Sequence, residues 1–279
     1  MTYREICDVL HGAGIESAKT DAGLLLEHFC GVSASQLPFR KNENFDSEAL
    51  AQAVARRACR EPLQYVLGEW EFFGMPFVVC PDCLIPRADT EALVEKAISL
   101  LPKGARFADF CTGSGCIGAA VLAHRPDTTA VLVDKFESTL SIARQNCIKN
   151  GVQDRADWVL CDLLQPLSDV FVPKFDVILS NPPYIPTEAV KALAPELAHE
   201  PQAALDGGED GMIFYRRFLE QTDMVLRDGG FWLFEIGYDQ KDAISALAAE
   251  MGFACEVTHD LGGNPRVAYV YRPKNEDLT

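Results

Sequence analysis

Apolar residues at the front of the chain recur at helical spacing: Ile6, Val9 and Leu10, then Leu24, Leu25, Leu26 and Phe29, then Leu50, Ala53 and Val54. Asp46 and Ser47 precede the third group, and either suits an N-cap. The pattern predicts a small helical domain over residues 1–61. From 62 to 86 the texture changes to aromatic and β-branched residues around Phe73-Gly74-Met75-Pro76, which predicts a β-hairpin linker. Leu93, Val94, Ala97, Ile98 and Leu101 then mark the buried side of a helix whose N-cap is Asp89 or Thr90.

The rest of the chain alternates short apolar runs with amphipathic stretches. Strands are predicted at 106–110, 130–134, 158–162 and 175–180, with a helix through Leu140, Ile142, Ala143 and Ile148 between the second and third. A helix over 213–226, a strand over 230–235, a helix over 240–251 and two strands at 254–259 and 266–271 complete the series. Gly262-Gly263-Asn264-Pro265 suits a hairpin between the last two. Five βα-type units followed by a β-pair fit an α/β domain over 87–279, with a Rossmann-like seven-stranded sheet and one antiparallel member.

The run Phe175-Asp176-Val177-Ile178-Leu179-Ser180 reads as a buried parallel strand and stops at Asn181-Pro182-Pro183-Tyr184. Proline lacks an N–H, has a fixed φ and pushes the preceding residue out of helical space, so Asn181 is held extended at the strand's C-terminal end. Open α/β sheets bind ligands at that edge. The Asn181 Oδ1 and the Pro182 carbonyl are two acceptors suited to the two hydrogens of a planar NH2 group, with the Tyr184 ring against its flat face. A strand-ending turn with an exposed tyrosine is the plainer alternative.

Three more strands end in acids. Asp109 precedes the turn Cys111-Thr112-Gly113-Ser114-Gly115, Asp134 closes the next strand, and Asp162 closes the third with Leu163 after it. Gly113, Gly115 and Gly118 satisfy the dinucleotide pattern G-x-G-x-x-G, yet Asp109 is poorly placed for a pyrophosphate and well placed to accept from an ammonium. Asp134 occupies the position that bonds ribose hydroxyls. Asp162 suits an adenine amino group and Leu163 the ring. A cofactor with an ammonium, a nucleoside and no phosphate, S-adenosyl-L-methionine, answers this set. His199 in the later Gly-rich loop is a candidate base or a locally bonded loop residue, and Arg87 and Glu91 are a helix-start ion pair or part of the site wall.

Composition narrows the classes. Across 279 residues the formal net charge is −16, which argues against non-specific attraction to nucleic-acid phosphate. No apolar run approaches the roughly 18–20 residues of a membrane span, and the N-terminus lacks a signal-peptide layout, so a cytoplasmic protein with no membrane association is expected. Ten cysteines in such a chain are expected to stay reduced. Cys80 and Cys83 have CxxC spacing, but no second pair completes a zinc site, so no metal is expected.

Taken together, Glu61-Pro62-Leu63-Gln64-Tyr65, Leu84-Ile85-Pro86-Arg87-Ala88-Asp89-Thr90-Glu91, the Asp109 to Gly115 turn, Asn181-Pro182-Pro183-Tyr184, His199-Glu200-Pro201 and the helical front end resemble the HemK/PrmC family of bacterial release factor glutamine methyltransferases. The resemblance covers nearly the whole chain. It implies a helical substrate-binding domain and a class I S-adenosylmethionine domain. It also implies methylation of the N5 side-chain nitrogen of the glutamine in a class 1 release factor's Gly-Gly-Gln loop, by a monomer with no direct nucleic-acid partner. It places catalysis on Asn181, Pro182 and Tyr184, substrate contacts on Asn181, Pro182, Pro183 and Tyr184, and cofactor contacts on the Cys111–Gly115 turn, Asp134, Leu163 and Asn181. S-adenosyl-L-homocysteine is the implied product. Two positions depart from the pattern. Cys111 stands where many members have glycine, so a negative φ is expected there, and Leu163 replaces an aromatic. A ribosomal-protein glutamine methyltransferase and, more remotely, a DNA adenine-N6 methyltransferase are the alternatives.

Overall fold

The structure, a computed structural model, describes residues 1–163, 165 and 173–273. The chain divides into two units. One comprises Met1–Trp70 with Ala194–Glu200, and the other comprises Glu71–Leu193 with the described residues from Pro201 on.

The first unit is helical. Helix α1 (Tyr3–Gly12) starts in a capping box in which the Thr2 side chain accepts from the Glu5 N–H and Glu5 accepts from the Thr2 N–H. Helix α2 (Ala18–Cys30) ends at Gly31, whose φ of 65° suits glycine. The single turn α3 (Leu37–Arg40) follows, then α4 (Glu48–Ala58) and α5 (Leu63–Leu67). Ser47, and not Asp46, is the cap of α4, its side chain accepting from the Leu50 N–H at 3.2 Å. Ile6, Leu10, Leu25, Leu26, Leu50, Ala53 and Val54 form the core, whereas Val9 faces outward. Within this core the Arg57 guanidinium donates to Asp21 at 2.8 Å, both side chains being almost fully buried, and also reaches Glu196 at 3.3 Å.

The hairpin is narrower than the 62–86 stretch that suggested it, because Leu63–Leu67 is helical. Strands β1 (Glu69–Phe72) and β2 (Met75–Val78) pair across Phe73 and Gly74, with φ of 52° and 69°. Two left-handed residues make the tight primed turn whose twist matches a hairpin. Glu91 does not reserve its carboxylate for Arg87; it accepts from the Phe73 N–H at 2.8 Å.

A 3-10 turn over Ala88–Thr90 leads into α6 (Glu91–Leu100). There follow β3 (Arg106–Phe110), α7 (Cys116–His124), β4 (Thr129–Asp134), α8 (Glu137–Lys149), β5 (Ala156–Leu160), β6 (Phe175–Ser180) and the short α9 (Thr187–Val190). Helices α10 (Ile213–Glu220) and α11 (Thr222–Val225), strand β7 (Leu226–Glu235), helix α12 (Lys241–Glu250) and strands β8 (Ala254–His259) and β9 (Pro265–Tyr271) complete the described chain. The single helix expected over 213–226 breaks at Gln221, whose N–H turns to the Phe218 carbonyl, and β7 starts earlier than expected.

The sheet runs β5-β4-β3-β6-β7-β9-β8, with β9 antiparallel to both neighbours and the other strands parallel. Side chains alternate between its faces: Phe107, Val177 and Leu179 enter one core, while Ala108, Phe110 and Ile178 enter the other. The second core stacks Phe218 on Trp232 with centroids 5.5 Å apart. The chain leaves β3 in one direction to build β4 and β5, then returns to place β6 on the opposite side of β3. The switch point therefore lies between the C-terminal ends of β3 and β6, where a ligand crevice is expected.

Arg57→Ala is expected to cost about 3–5 kcal/mol in urea unfolding, because it leaves the buried Asp21 carboxylate unpaired. A loss below about 1 kcal/mol, the range of an exposed pair, would contradict that assignment.

Candidate active site at the switch point

At the end of β3 the chain makes a tight turn before α7. Cys111, Gly113 and Gly115 all have positive φ, of 57°, 55° and 78°. Cys111 thus corrects the expectation of a negative φ: the turn requires a left-handed residue there, and the side chain bears a cost of about 1–2 kcal/mol. Gly115 has a second reason to lack a side chain, since a Cβ would lie 3.0 Å from the Cα and Cβ of Ala143. At Gly118 a Cβ would stand 3.1 Å from the Asp109 carboxylate, so helix and strand approach closely. Burial first, and then Asp134, push the Cys111 thiol far above its ordinary pKa, which keeps it neutral.

Asp109 lies behind this turn, fully buried, and is not on the cavity wall. Its Oδ2 accepts from the Thr112 hydroxyl at 2.6 Å and from the Gly118 N–H at 3.0 Å, while Oδ1 is buried with no partner among the described residues. Burial raises its pKa to about 7, against those two hydrogen bonds. Asp134 binds both the turn and its own strand end, accepting from the Gly113 N–H at 3.0 Å and from the Phe136 N–H at 3.2 Å. Burial raises its pKa as well, and the backbone donors oppose the shift. Asp162 pairs with the Lys135 ammonium at 3.0 Å.

A cavity of about 420 Å³ opens at this edge, within the usual range for small-molecule sites. Of the residues expected here, Cys111, Gly113, Asp134, Asp162 and Leu163 line it from the cofactor set, and Asn181 and Pro183 from the proline motif. Thr112, Ser114, Gly115 and Pro182 are buried and Tyr184 is half-buried, and none of them is among the lining residues. Phe136, Thr139, Ile213 and Phe214 also line the cavity and were not singled out from the sequence. Only Phe136, an exposed aromatic two residues after a strand-end acid, carried a readable signal. His199 is exposed and belongs to the segment grouped with the helical unit.

Asn181 follows β6 directly. Its Nδ2 donates to the Thr90 hydroxyl oxygen at 3.3 Å, and its Oδ1 has no hydrogen-bond partner among the described residues. The residues after it are held by the 201–211 loop. The Ile185 N–H donates to the Leu205 carbonyl at 3.0 Å, and the Gly207 N–H returns a bond to the Ile185 carbonyl at 2.8 Å. The Gln240 side chain donates to the Tyr184 carbonyl at 3.0 Å. The loop therefore lines the cavity through Pro201, Ala203, Ala204, Asp206 and Gly208 and also braces the motif from behind. Gly207 is required: a Cβ there would lie 2.7 Å from the Pro183 carbonyl oxygen and from the Tyr184 Cα. Gly211 is equally constrained by the Tyr184 carbonyl.

A doubly wound sheet with one antiparallel strand next to its edge, a glycine-rich turn after β3 and acids at consecutive strand ends define a class I methyltransferase domain. A solved methyltransferase from Pyrococcus furiosus shares this fold, with a TM-score of 0.54 at 19% identity over 72% of this chain and 89% of that one. Residues 2–68 match the model of the PrmC N-terminal domain, and residues 88–229 match the methyltransferase small domain. A release factor glutamine methyltransferase of Geobacter sulfurreducens is 38% identical over 275 residues, 95% of each chain. One from Caulobacter vibrioides is 37% identical over 268 residues, 93% of this chain and 91% of its own. The chain belongs to the release factor glutamine methyltransferase family.

Two substitutions test the local geometry. Cys111→Gly is expected to stabilise the protein by about 0.5–1 kcal/mol in thermal unfolding, by relieving the left-handed side chain; a loss of stability would show that the thiol's contacts outweigh the strain. Gly207→Ala is expected to lower methyl-transfer turnover by about 100-fold, by displacing Pro183 and Tyr184, and unchanged turnover would show that the loop does not set the motif's position.

Proposed function

We propose that this protein transfers a methyl group from S-adenosyl-L-methionine to the side-chain amide nitrogen (N5) of the glutamine in the Gly-Gly-Gln loop of class 1 peptide chain release factors. S-adenosyl-L-homocysteine is the second product. The observation that carries the reading is the setting of Asn181: it stands at the C-terminal end of β6, on the cavity wall, its donor end tied to Thr90 and its acceptor end available.

The cavity suits the cofactor. Its wall combines the open Gly113 backbone with Asp134, Asp162, Leu163 and Phe136, which provide hydroxyl and amino acceptors and apolar faces for a nucleoside. Asp109 fixes the turn from beneath, through the Thr112 hydroxyl and the Gly118 N–H. When bound, S-adenosylmethionine supplies a methyl carbon made electrophilic by its sulfonium.

An amide nitrogen is a weak nucleophile because its lone pair is delocalised into the carbonyl. The protein's contribution is orientation. Asn181 Oδ1 and the Pro182 carbonyl accept the two hydrogens of the NH2 group and aim the nitrogen along the line to the methyl carbon. As bonding proceeds, positive charge develops on the nitrogen, and the two acceptors with the Tyr184 ring face stabilise it. The proton leaves to water after transfer, so no strong base is needed before attack. Residues 1–61 supply the domain that holds the protein substrate, and the protein acts as a monomer in the cytoplasm. Among the described residues no helix is long and apolar enough to cross a membrane.

Asn181→Ala is expected to reduce turnover on a full-length release factor by about 100-fold while leaving cofactor affinity within a few-fold. Tritium transfer with release factor, ribosomal protein and DNA offered in parallel measures it. Near wild-type turnover by the variant would exclude the mechanism, and transfer confined to ribosomal protein or DNA would exclude the substrate.

A further inference from the structure

Glu235 ends β7 beside the proline motif, one residue beyond the Phe234–Ser180 pairing that joins β7 to β6. It is 2% exposed. The Tyr184 phenol donates to its Oε1 at 3.4 Å, and the Thr90 side chain stands near enough to favour the charged form of the same carboxyl. Thr90 is itself buried, and its hydroxyl oxygen accepts from Asn181 Nδ2 at 3.3 Å. Asn181 and Tyr184 thus each bond one member of the neighbouring pair Thr90 and Glu235. Glu235 Oε2 is buried with no partner among the described residues, so the group is kept in an environment that penalises its charge.

We infer that Glu235 is the positioning residue of the amide-gripping site, setting Asn181 through Thr90 and the Tyr184 ring through its phenol. The inference rests on the glutamine reading above and adds the element that makes the two walls of the grip move as one. The ionised carboxylate holds both hydroxyls more strongly than the neutral acid does. Burial raises the Glu235 pKa to about 7, against the Thr90 hydrogen bond and the charge of Arg266 on β9. Asp89 from the 3-10 turn and Tyr184 also face it, and Cys116 on α7 and Tyr215 on α10 feel its charge. Burial and then Glu235 itself push the Tyr184 phenol well above its ordinary pKa, so Tyr184 remains a donor throughout.

The signs follow. The grip tightens as pH rises through about 7, so turnover at saturating substrates increases over that interval. Stability moves the other way. A carboxyl whose folded pKa lies above its unfolded value contributes stability that is complete below the unfolded pKa and is lost as pH rises through the folded one. Asp109, with its pKa also raised to about 7, contributes in the same direction, so only a Glu235 variant isolates this group.

The test compares wild type, E235Q, Y184F, T90V and the E235Q/Y184F and T90V/Y184F double variants on a full-length release factor. It reads kcat against pH, cofactor affinity by calorimetry and melting temperature against pH. E235Q is expected to lower kcat about tenfold, to flatten the rise of kcat between about pH 6 and 8, and to keep cofactor affinity within about threefold. Its melting temperature should fall less than that of wild type as pH rises from the ordinary carboxyl range to about 7. Each double variant should lose less than the product of the two single losses. Should E235Q not fold, T90V and Y184F carry the test: each is expected to lower kcat with cofactor affinity kept, and their combined loss should be less than multiplicative. Wild-type kcat and pH profile in E235Q, or independent losses in the double variants, would overturn the inference while leaving the glutamine reading standing. A wild-type protein that leaves the release factor unmethylated would remove both.

Discussion

Two consecutive prolines at the end of a buried strand govern this sheet edge. They forbid β6 from continuing its ladder and forbid Asn181 from entering a helix, so the side chain stays where the strand stops. The opposite constraint comes from behind, where the backbone of Ile185 bonds Leu205 and Gly207 and leaves no room for a Cβ at Gly207. Between the two, the motif has little freedom to rearrange. The cavity wall at Asn181 and Pro183, the brace and the buried carboxylate at Glu235 all adjoin that fixed point.

The turn after β3 uses a different device. It needs left-handed backbone at three positions and meets one of them with cysteine. Close approach of α7 to the sheet requires small residues at Gly115 and Gly118, and the fully buried Asp109 ties the turn to the helix start. The acids at the edge therefore divide their work. Asp109 organises the turn from beneath, Asp134 holds the Gly113 and Phe136 backbone while facing the cavity, and Asp162 meets Lys135 at the wall.

Much of this was legible in the chain. Period-two and period-3.6 apolar patterns are local properties, so the strands, most helices and the single antiparallel member could be read from spacing. The abrupt change from Leu179-Ser180 to Asn181-Pro182 located the edge without any knowledge of the neighbours. What escaped was non-local or depended on backbone context. Glu235 reads as an ordinary strand end, and nothing nearby in sequence shows that Thr90 and Tyr184 reach it. At Cys111 a side chain argues for negative φ, while the turn, set by β3 and α7 together, demands the reverse. The helix over 213–226 was drawn too long because its apolar spacing continues through Gln221, where tertiary contacts end α10. Nothing in the Gly-rich spacing around Gly207 shows that this loop supports the motif from behind.

The account's central claim is geometric: two acceptors at the tip of β6 hold a carboxamide. A crystal structure with S-adenosyl-L-homocysteine and a peptide bearing the Gly-Gly-Gln sequence measures it directly. The expected result is the glutamine nitrogen at about 2.7–3.2 Å from both Asn181 Oδ1 and the Pro182 carbonyl oxygen, with the Tyr184 ring along its face. A glutamine bound elsewhere, or an Asn181 side chain turned away from it, would contradict the claim.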